Sequence, residues 1–366
     1  VNIHARSFLN SRLVSTIAIM VSLVSASVQA ELKSTFAKVV DSIAKDVIKE
    51  DGTPGMSIAV AKGSEIIHAK GYGYADITDK KKAKSDHIYR IGSVTKQFTS
   101  AAIMQLVEQG KINLDDPLTK YVPDFPSPGE NVTVTHLLQH TSGIRSYTNL
   151  ASFMRLIKEP TTHQQLIDIV SEVEFDFQPG EEFRYNNSGY YLLGVIIEQV
   201  SGQTYADYLK DHVYPKAGLT DTGYGANEYP TPQHARGYML ANKKFKDERY
   251  MDMSRPFAAG SLESTVEDLM RWNYALRNGK VVSAESYEMM TTNGTLNNGE
   301  KIQYGFGLFV GEMDGRPMVQ HGGGIHGFSC MMAYFPDEDV ALAVLTNLRQ
   351  GHGGQITMNI AKELFE

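Results

Sequence analysis

Strand-like runs lie at the two ends of this chain and are nearly absent from its middle. Met56 to Ala61 and Glu65 to Tyr74 form a hairpin pattern around Lys62-Gly63-Ser64. After Asn293-Gly294 the strand pattern returns, over Tyr304 to Glu312, Pro317 to His321, Phe328 to Phe335 and Val340 to Thr346. Between these ends come helical periodicities and long loops, punctuated by Asp115-Asp116-Pro117, Pro123 and Pro126-Ser127-Pro128-Gly129. Strands at opposite ends of a chain bury their apolar faces most economically by pairing with one another. The expectation is therefore an α+β architecture. One antiparallel sheet comes from about residues 31–88 and 300–366, and a mostly helical lobe from about residues 89–299 is inserted into it.

Terminal helices should flank that sheet. Residues 32 to 50 carry an apolar stripe of Leu32, Phe36, Val39, Val40, Ile43 and Val47, and Gln355 to Phe365 reads as a second helix. In the middle, Thr135 is placed to cap a short helix from His136 to His140, and Thr162 to Val173 follows as another. Ser188 is placed to cap Gly189 to Val200, and Thr204 to Ala217 comes next. Ser264-Thr265-Val266-Glu267 reads as a capping box for a helix to Arg277. A cleft between two lobes is a usual place for a ligand.

The first 30 residues differ from the rest. They hold Arg6 and Arg12 with no acid, an apolar run from Leu13 to Val24, and then Val28-Gln29-Ala30. That is the layout of a signal peptide cut after Ala30, with an uncleaved anchor as the alternative. The run is short for a transmembrane helix. The expected product is a secreted or periplasmic chain with no stable membrane insertion after cleavage. Its loss would take the net charge from −7 to −9. Apart from Lys80-Lys81-Lys82 there is no basic run, so nucleic acid is not an expected partner. Cys330 is the only cysteine, so stability must come from the core and not from an internal disulfide.

The chemistry begins at Gly92-Ser93-Val94-Thr95-Lys96. Val94, Phe98, Ala101, Ala102 and Met104 to Val107 give a helix that Gly110 stops, so Ser93 belongs at its first turn. There the free N–H groups and the helix dipole favour developing negative charge. Lys96 shares that face, with Cβ atoms roughly 5–6 Å apart. A serine hydroxyl needs a neighbouring base, and a lysine kept neutral by burial can be one. The same spacing recurs at Ser42-Ile43-Ala44-Lys45, among Asp41, Asp46 and Lys49 on the polar side of the first helix. A solvated helix face explains that copy.

Two further groups carry possible chemistry. Tyr185-Asn186-Asn187 precedes a helix; a tyrosine can move a proton and an asparagine amide can orient a carbonyl. Tyr147-Thr148-Asn149 has the same spacing and could equally be a packed loop. His321-Gly322-Gly323-Gly324 ends a predicted strand, where glycines let a substrate backbone approach and leave N–H donors free. His352-Gly353-Gly354 competes with it from a loop. His136-x-x-x-His140 has helical metal-ligand spacing but no third ligand nearby, so no metal is expected and His140 is read as bonding to a loop. No phosphate loop, nucleophile elbow or dinucleotide fingerprint is found.

Taken in order, Ser93-x-x-Lys96, Tyr185-x-Asn187 and His321-x-Gly323 resemble the three motifs of the serine β-lactamase and penicillin-binding-protein superfamily. The branch they look most like holds class C β-lactamases, D-alanyl-D-alanine carboxypeptidases and family VIII esterases. The likeness extends to His140-Thr141-Ser142-Gly143-Ile144, to Pro179-Gly180 and Gly189-Tyr190 around Tyr185, and to Ala259-Gly260 ahead of Ser264-Thr265. It implies a β-lactamase-like fold and an acyl-enzyme on Ser93, with proton transfers shared by Lys96 and Tyr185. Asn187, His321 and Gly323 would contact substrate, and the N–H groups of Ser93 and Gly324 would form the oxyanion hole. No metal or organic cofactor is implied. His321 and Gly322 depart from the Lys-Thr-Gly pattern of β-lactamases and weaken the carboxylate site. The expected function is an exported serine hydrolase acting on an ester or a D-amino-acid amide or peptide. Carboxypeptidase, D-aminopeptidase or weak β-lactamase activity are the enzyme alternatives, and a penicillin-binding sensor without turnover is the non-enzymatic one. The partner is a small-molecule or peptide substrate.

Overall fold

The computed structural model describes residues 33–366 except 51, 228, 249 and 250. The predicted signal peptide lies outside the described residues. After helix α1 (33–50) come strands β1 (Gly55–Lys62), β2 (Glu65–Asp76), β3 (Lys81–Lys82) and β4 (Tyr89–Arg90). The middle of the chain holds α2 (Thr95–Glu108), α3 (Val134–Leu138), α4 (Ala151–Leu156), α5 (His163–Ser171), α6 (Asn187–Ser201), α7 (Tyr205–His212) and α8 (Tyr214–Ala217). Short strands β5 (Gly223–Tyr224), β6 (Tyr238–Ala241), β7 (Lys244–Asp247) and β8 (Leu262–Ser264) lead to α9 (Val266–Arg277) and α10 (Ala284–Met290). The chain closes with β9 (Phe309–Met313), β10 (Arg316–Ile325), β11 (Phe328–Phe335), β12 (Val340–Thr346) and α11 (Gly353–Phe365).

The two ends do build one sheet. Its order is β3-β2-β1-β12-β11-β10-β9, and β1 runs antiparallel to β12 with Met56 opposite Thr346 and Lys62 opposite Val340. The central strands are buried on both faces, which their alternation explains. Met56, Ile58 and Val60 of β1, with Leu342 and Val344 of β12, pack under α1 and α11 against Phe36, Val40, Ile356 and Ile360. The alternate residues Ala59, Ala61, Ala341, Ala343 and Leu345 join the core shared with the helical elements. Small side chains on that face let helices approach the sheet closely.

Several predicted boundaries move, each for a local reason. Thr133, not Thr135, caps α3, with His136 completing a capping box, so His136 is a capping residue. Asn186 caps α6 by accepting from Gly189 N, and Ser188 falls inside the helix. Thr265 caps α9, one residue later than the predicted box. The stretch from Thr204 to Ala217 is two helices that break at Val213, just before Pro215. The glycine run lies within β10, not beyond its end, because β11 continues to pair it as far as Ile325. The β6–β7 hairpin, turning at Asn242 and Lys243 with both in left-handed backbone, was not legible in its polar sequence. Among the described residues no helix is long and apolar enough to cross a membrane.

Candidate active site

Ser93 sits in a single 3-10 turn, Gly92–Val94, that runs straight into α2. Its loop is tight enough to require glycine. Gly92 has φ +50, and a Cβ there would stand 3.0 Å from Gly324 N. The helix that follows is buried all round from Thr95 to Leu106, so its polar side chains find internal partners. Thr95 Oγ1 accepts from Leu262 N at 3.1 Å, Thr99 Oγ1 donates to Ala258 O at 2.7 Å, and Trp272 Nε1 donates to Gln97 Oε1 at 3.1 Å. The first two bonds bind the segment between Phe257 and Leu262 against α2, and the third ties α9 to it.

Lys96 is 0% exposed. Its Nζ lies 3.1 Å from Ser93 Oγ, 2.9 Å from Asn187 Oδ1 and 2.7 Å from the Ala259 carbonyl. The ammonium position also faces the rings of Tyr185 and Tyr190, at 4.8 and 5.3 Å. Burial drives its pKa well below the ordinary lysine value. A neutral amine has two N–H donors and one lone pair. Asn187 Oδ1 and Ala259 O can only accept, so they take the two donors and leave the lone pair for the Ser93 hydroxyl. The three contacts thus match a base directed at Ser93.

Tyr185 packs beside them, its ring centroid 4.8 Å from Lys96 Nζ. Its hydroxyl is buried and has no hydrogen-bond partner among the described residues. Burial raises its pKa above the ordinary tyrosine value; the nearby Ser93 hydroxyl opposes that shift without completing a hydrogen bond of full geometry. Both shifts favour amine and phenol over ammonium and phenolate. Asn187 is fixed in turn, because its Nδ2 donates to Thr148 Oγ1 at 3.1 Å and its N–H to Ser146 Oγ at 3.2 Å. Thr148, from the competing Tyr147-Thr148-Asn149 string, is therefore a support for Asn187. Sequence reasoning missed it because the contact joins two loops far apart in the chain.

The sequence places His321 among the substrate contacts; its side chain is 2% exposed and both ring nitrogens have protein partners. Nδ1 faces Gly322 O at 2.6 Å and Nε2 faces the Tyr304 hydroxyl at 3.1 Å. The carbonyl can only accept, so the proton is on Nδ1 and Nε2 accepts from Tyr304. Burial, with a lesser effect of Lys96, brings its pKa down to about 3. It is a neutral spacer among Tyr185, Tyr304 and Phe309, whose ring centroids lie 5.9, 5.9 and 5.3 Å away. Gly323 is a packing requirement, since a Cβ there would meet Ile91 O at 2.0 Å and Cys330 Sγ at 2.5 Å. Gly324 does reach the cleft.

A cavity of about 340 Å³ opens at Ser93, lined there by Gly92, Ser93, Asn187, Ala259, Gly260 and Gly324. Tyr147, Phe153, Met154, Met251 and Ile325 make one apolar side, and Arg349 and His326 supply the polar end. The Arg349 side chain is 43% exposed and pairs through Nη1 with Glu248 Oε1 at 2.7 Å. Arg349 was not singled out from sequence, because a lone arginine after a strand carries no motif. Among the described residues, no group of three His, Cys, Asp or Glu side chains is arranged to hold a metal.

Residues 40–365 match the beta-lactamase family. Penicillin-binding protein 4* of Bacillus subtilis (strain 168) is 30% identical over 306 residues, which are 80% of this chain and 67% of that protein. The chain spans between 62% and 67% of the length of the first curated relatives it matches. An octameric penicillin-binding protein homologue from Pyrococcus abyssi superposes with a TM-score of 0.78 at 32% identity, over 89% of this chain and 76% of that one. A D-amino acid amidase from Ochrobactrum anthropi SV3 gives 0.79 at 25% identity, over 90% of this chain and 99% of the amidase.

Proposed function

The chain belongs to the beta-lactamase family of serine hydrolases, and we propose that it acts through an acyl-enzyme on esters or D-amino-acid amides. The single observation that carries this reading is the Lys96 amine, buried and 3.1 Å from Ser93 Oγ with both its N–H groups committed elsewhere.

In this mechanism Ser93 Oγ attacks the substrate carbonyl carbon and its proton passes to Lys96. The carbonyl oxygen gains negative charge beside the start of α2, where Ser93 and Gly324 are the backbone donors within reach. The Tyr185 hydroxyl, which no protein acceptor holds, gives its proton to the departing oxygen or nitrogen and regains one from Lys96. Water then attacks the acyl-serine by the same steps in reverse. Asn187 keeps Lys96 in register and presents its amide to the substrate. The apolar wall of Tyr147, Phe153, Met154 and Met251 supports an apolar acyl or side-chain group. The likeness to a D-amino acid amidase supports the amide branch.

One observation favours a second reading. Arg349 is a guanidinium at the polar end of the cleft, and a free carboxylate on the leaving group would suit it, as in a D-alanyl-D-alanine carboxypeptidase. Glu248 already takes part of that charge. His321 is neutral and Gly322 has no hydroxyl, so efficient β-lactam hydrolysis is not expected. We propose also that residues 1–30 export the chain, which the mass of the N-terminus in secreted material would test.

The discriminating experiment is turnover on a short-chain p-nitrophenyl ester, a D-phenylalanine amide, a D-Ala-D-Ala peptide and a chromogenic cephalosporin, with Ser93→Ala beside each. Fast ester or amide cleavage supports the main reading, and release of D-Ala supports the second. A Ser93-dependent adduct without turnover on any of the four would replace both with a sensor.

A further inference from the structure

His140 takes no part in the proton transfers above, yet it is built around the residue that does. It follows α3 in left-handed backbone, at φ +61, which is uncommon for a residue other than glycine. From that conformation its main chain and side chain both reach the loop that carries Tyr185. Its carbonyl accepts from Arg184 N at 3.0 Å, and its Nδ1 accepts from Asn186 N at 3.0 Å. Tyr185 is the residue between those two bonds. The imidazole lies on Tyr185, with ring centroids 4.3 Å apart. His140 is 1% exposed, and its remaining nitrogen, Nε2, has no hydrogen-bond partner among the described residues.

The rest of the loop after His140 continues the clasp. Asn186 Nδ2 donates to Ile144 O, Ser188 Oγ donates to Arg145 O at 2.8 Å, and Asn187 N donates to Ser146 Oγ at 3.2 Å. Those bonds hold residues 186–188. Among the described residues, His140 is the one that bonds on both sides of Tyr185. Among the described residues the Tyr185 hydroxyl has no hydrogen-bond partner to fix its ring, so its aim at Ser93 depends on backbone and packing. The Nδ1 contact needs a lone pair, and burial keeps the imidazole neutral.

We propose that His140 is a positioning residue for Tyr185: one side chain in left-handed backbone fixes the peptide on either side of the proton donor and braces its ring. The inference rests on the serine-hydrolase reading. It also explains why a histidine stands where a glycine or asparagine would relieve the backbone more easily.

Two variants separate the parts of this role. His140→Gly keeps the left-handed backbone available while removing the ring and the Nδ1 acceptor. His140→Asn also tolerates that backbone, and its Oδ1 branches from Cγ as Nδ1 does, so it restores the acceptor without the ring. Ester turnover and the rate of Ser93 acylation are measured on folded protein, with near-UV circular dichroism as the fold check. We expect His140→Gly to lower kcat about a hundredfold, the scale of a misplacement near 1 Å, with KM within about threefold. His140→Asn should recover at least about tenfold of that loss. A His140→Gly enzyme within about threefold of wild-type kcat overturns the proposal. So does a His140→Asn enzyme no faster than His140→Gly. If the glycine variant does not fold, the asparagine variant is judged against wild type. A kcat above about a tenth supports the role and a lower one overturns it. Wild-type protein inactive toward every substrate would instead overturn the hydrolase reading.

Discussion

The spacing Ser-x-x-Lys occurs twice in this chain, and the two copies end in opposite environments. Ser42 and Lys45 lie in the middle of α1, where the Lys45 side chain is 70% exposed and 3.9 Å from Asp41. Ser93 and Lys96 lie where α2 begins, and Lys96 is 0% exposed. In both cases a helical or near-helical backbone puts the two side chains on one face. Only the second copy is covered, by Tyr185 and Asn187 at the start of α6 and by Ala259 from the segment before β8. The first lysine projects from an exposed helix face. The second is enclosed by two acceptors, Asn187 Oδ1 and the Ala259 carbonyl, and by the Ser93 hydroxyl. The spacing supplies proximity, and the cover supplies the burial that lowers the Lys96 pKa.

Substitutions at matched positions can break this contrast. Ser93→Ala should have the largest effect: acylation disappears, while Ser42→Ala leaves rates unchanged. Lys96→Ala should lower kcat/KM about 10²–10⁴-fold, the range of a lost general base, with Lys45→Ala neutral. The same base sets the pH profile. Because burial lowers the Lys96 pKa, kcat/KM should rise with pH through a midpoint well below the ordinary lysine value of about 10.4 and fall as acid protonates the amine. A midpoint at that ordinary value would mean that Lys96 is not held neutral.

Gly323→Ala tests the floor of the site. Its Cβ would stand 2.0 Å from Ile91 O, so the backbone at Ile91 or Gly323 must give, and a loss of about 1–3 kcal/mol of stability is expected from overpacking in a thermal or denaturant melt. Thr148→Val, the mildest change, removes the acceptor for Asn187 Nδ2. That bond contributes about 0.5–1.5 kcal/mol, so kcat should fall by about tenfold or less while Ser93 still acylates.

The parts of the fold that could be read in advance were those written in side-chain periodicity. The alternation in Met56 to Ala61 and Val340 to Thr346 announced two central strands, and the two ends of the chain had no better partner than each other. Ser93 and Lys96 were legible because a helix start is a local signal. Ala259 as a lysine acceptor was not, since a backbone carbonyl leaves no mark on residue identity. Thr148 and Arg349 were hidden because their roles depend on loops meeting across the cleft. The surroundings of His321 were hidden for a related reason. Its motif marks the right strand, but Tyr304 and Gly322 occupy its nitrogens, and neither contact is implied by His-x-Gly.

The most direct test of the central claim is peptide mapping, by intact mass and fragmentation, of the adduct formed when the purified chain is stopped during turnover of a slow ester. The account predicts one acyl group on the peptide that contains Ser93, absent from Ser93→Ala and unaffected by Ser42→Ala. An acyl group found on Ser42, or one that persists in Ser93→Ala, would contradict it.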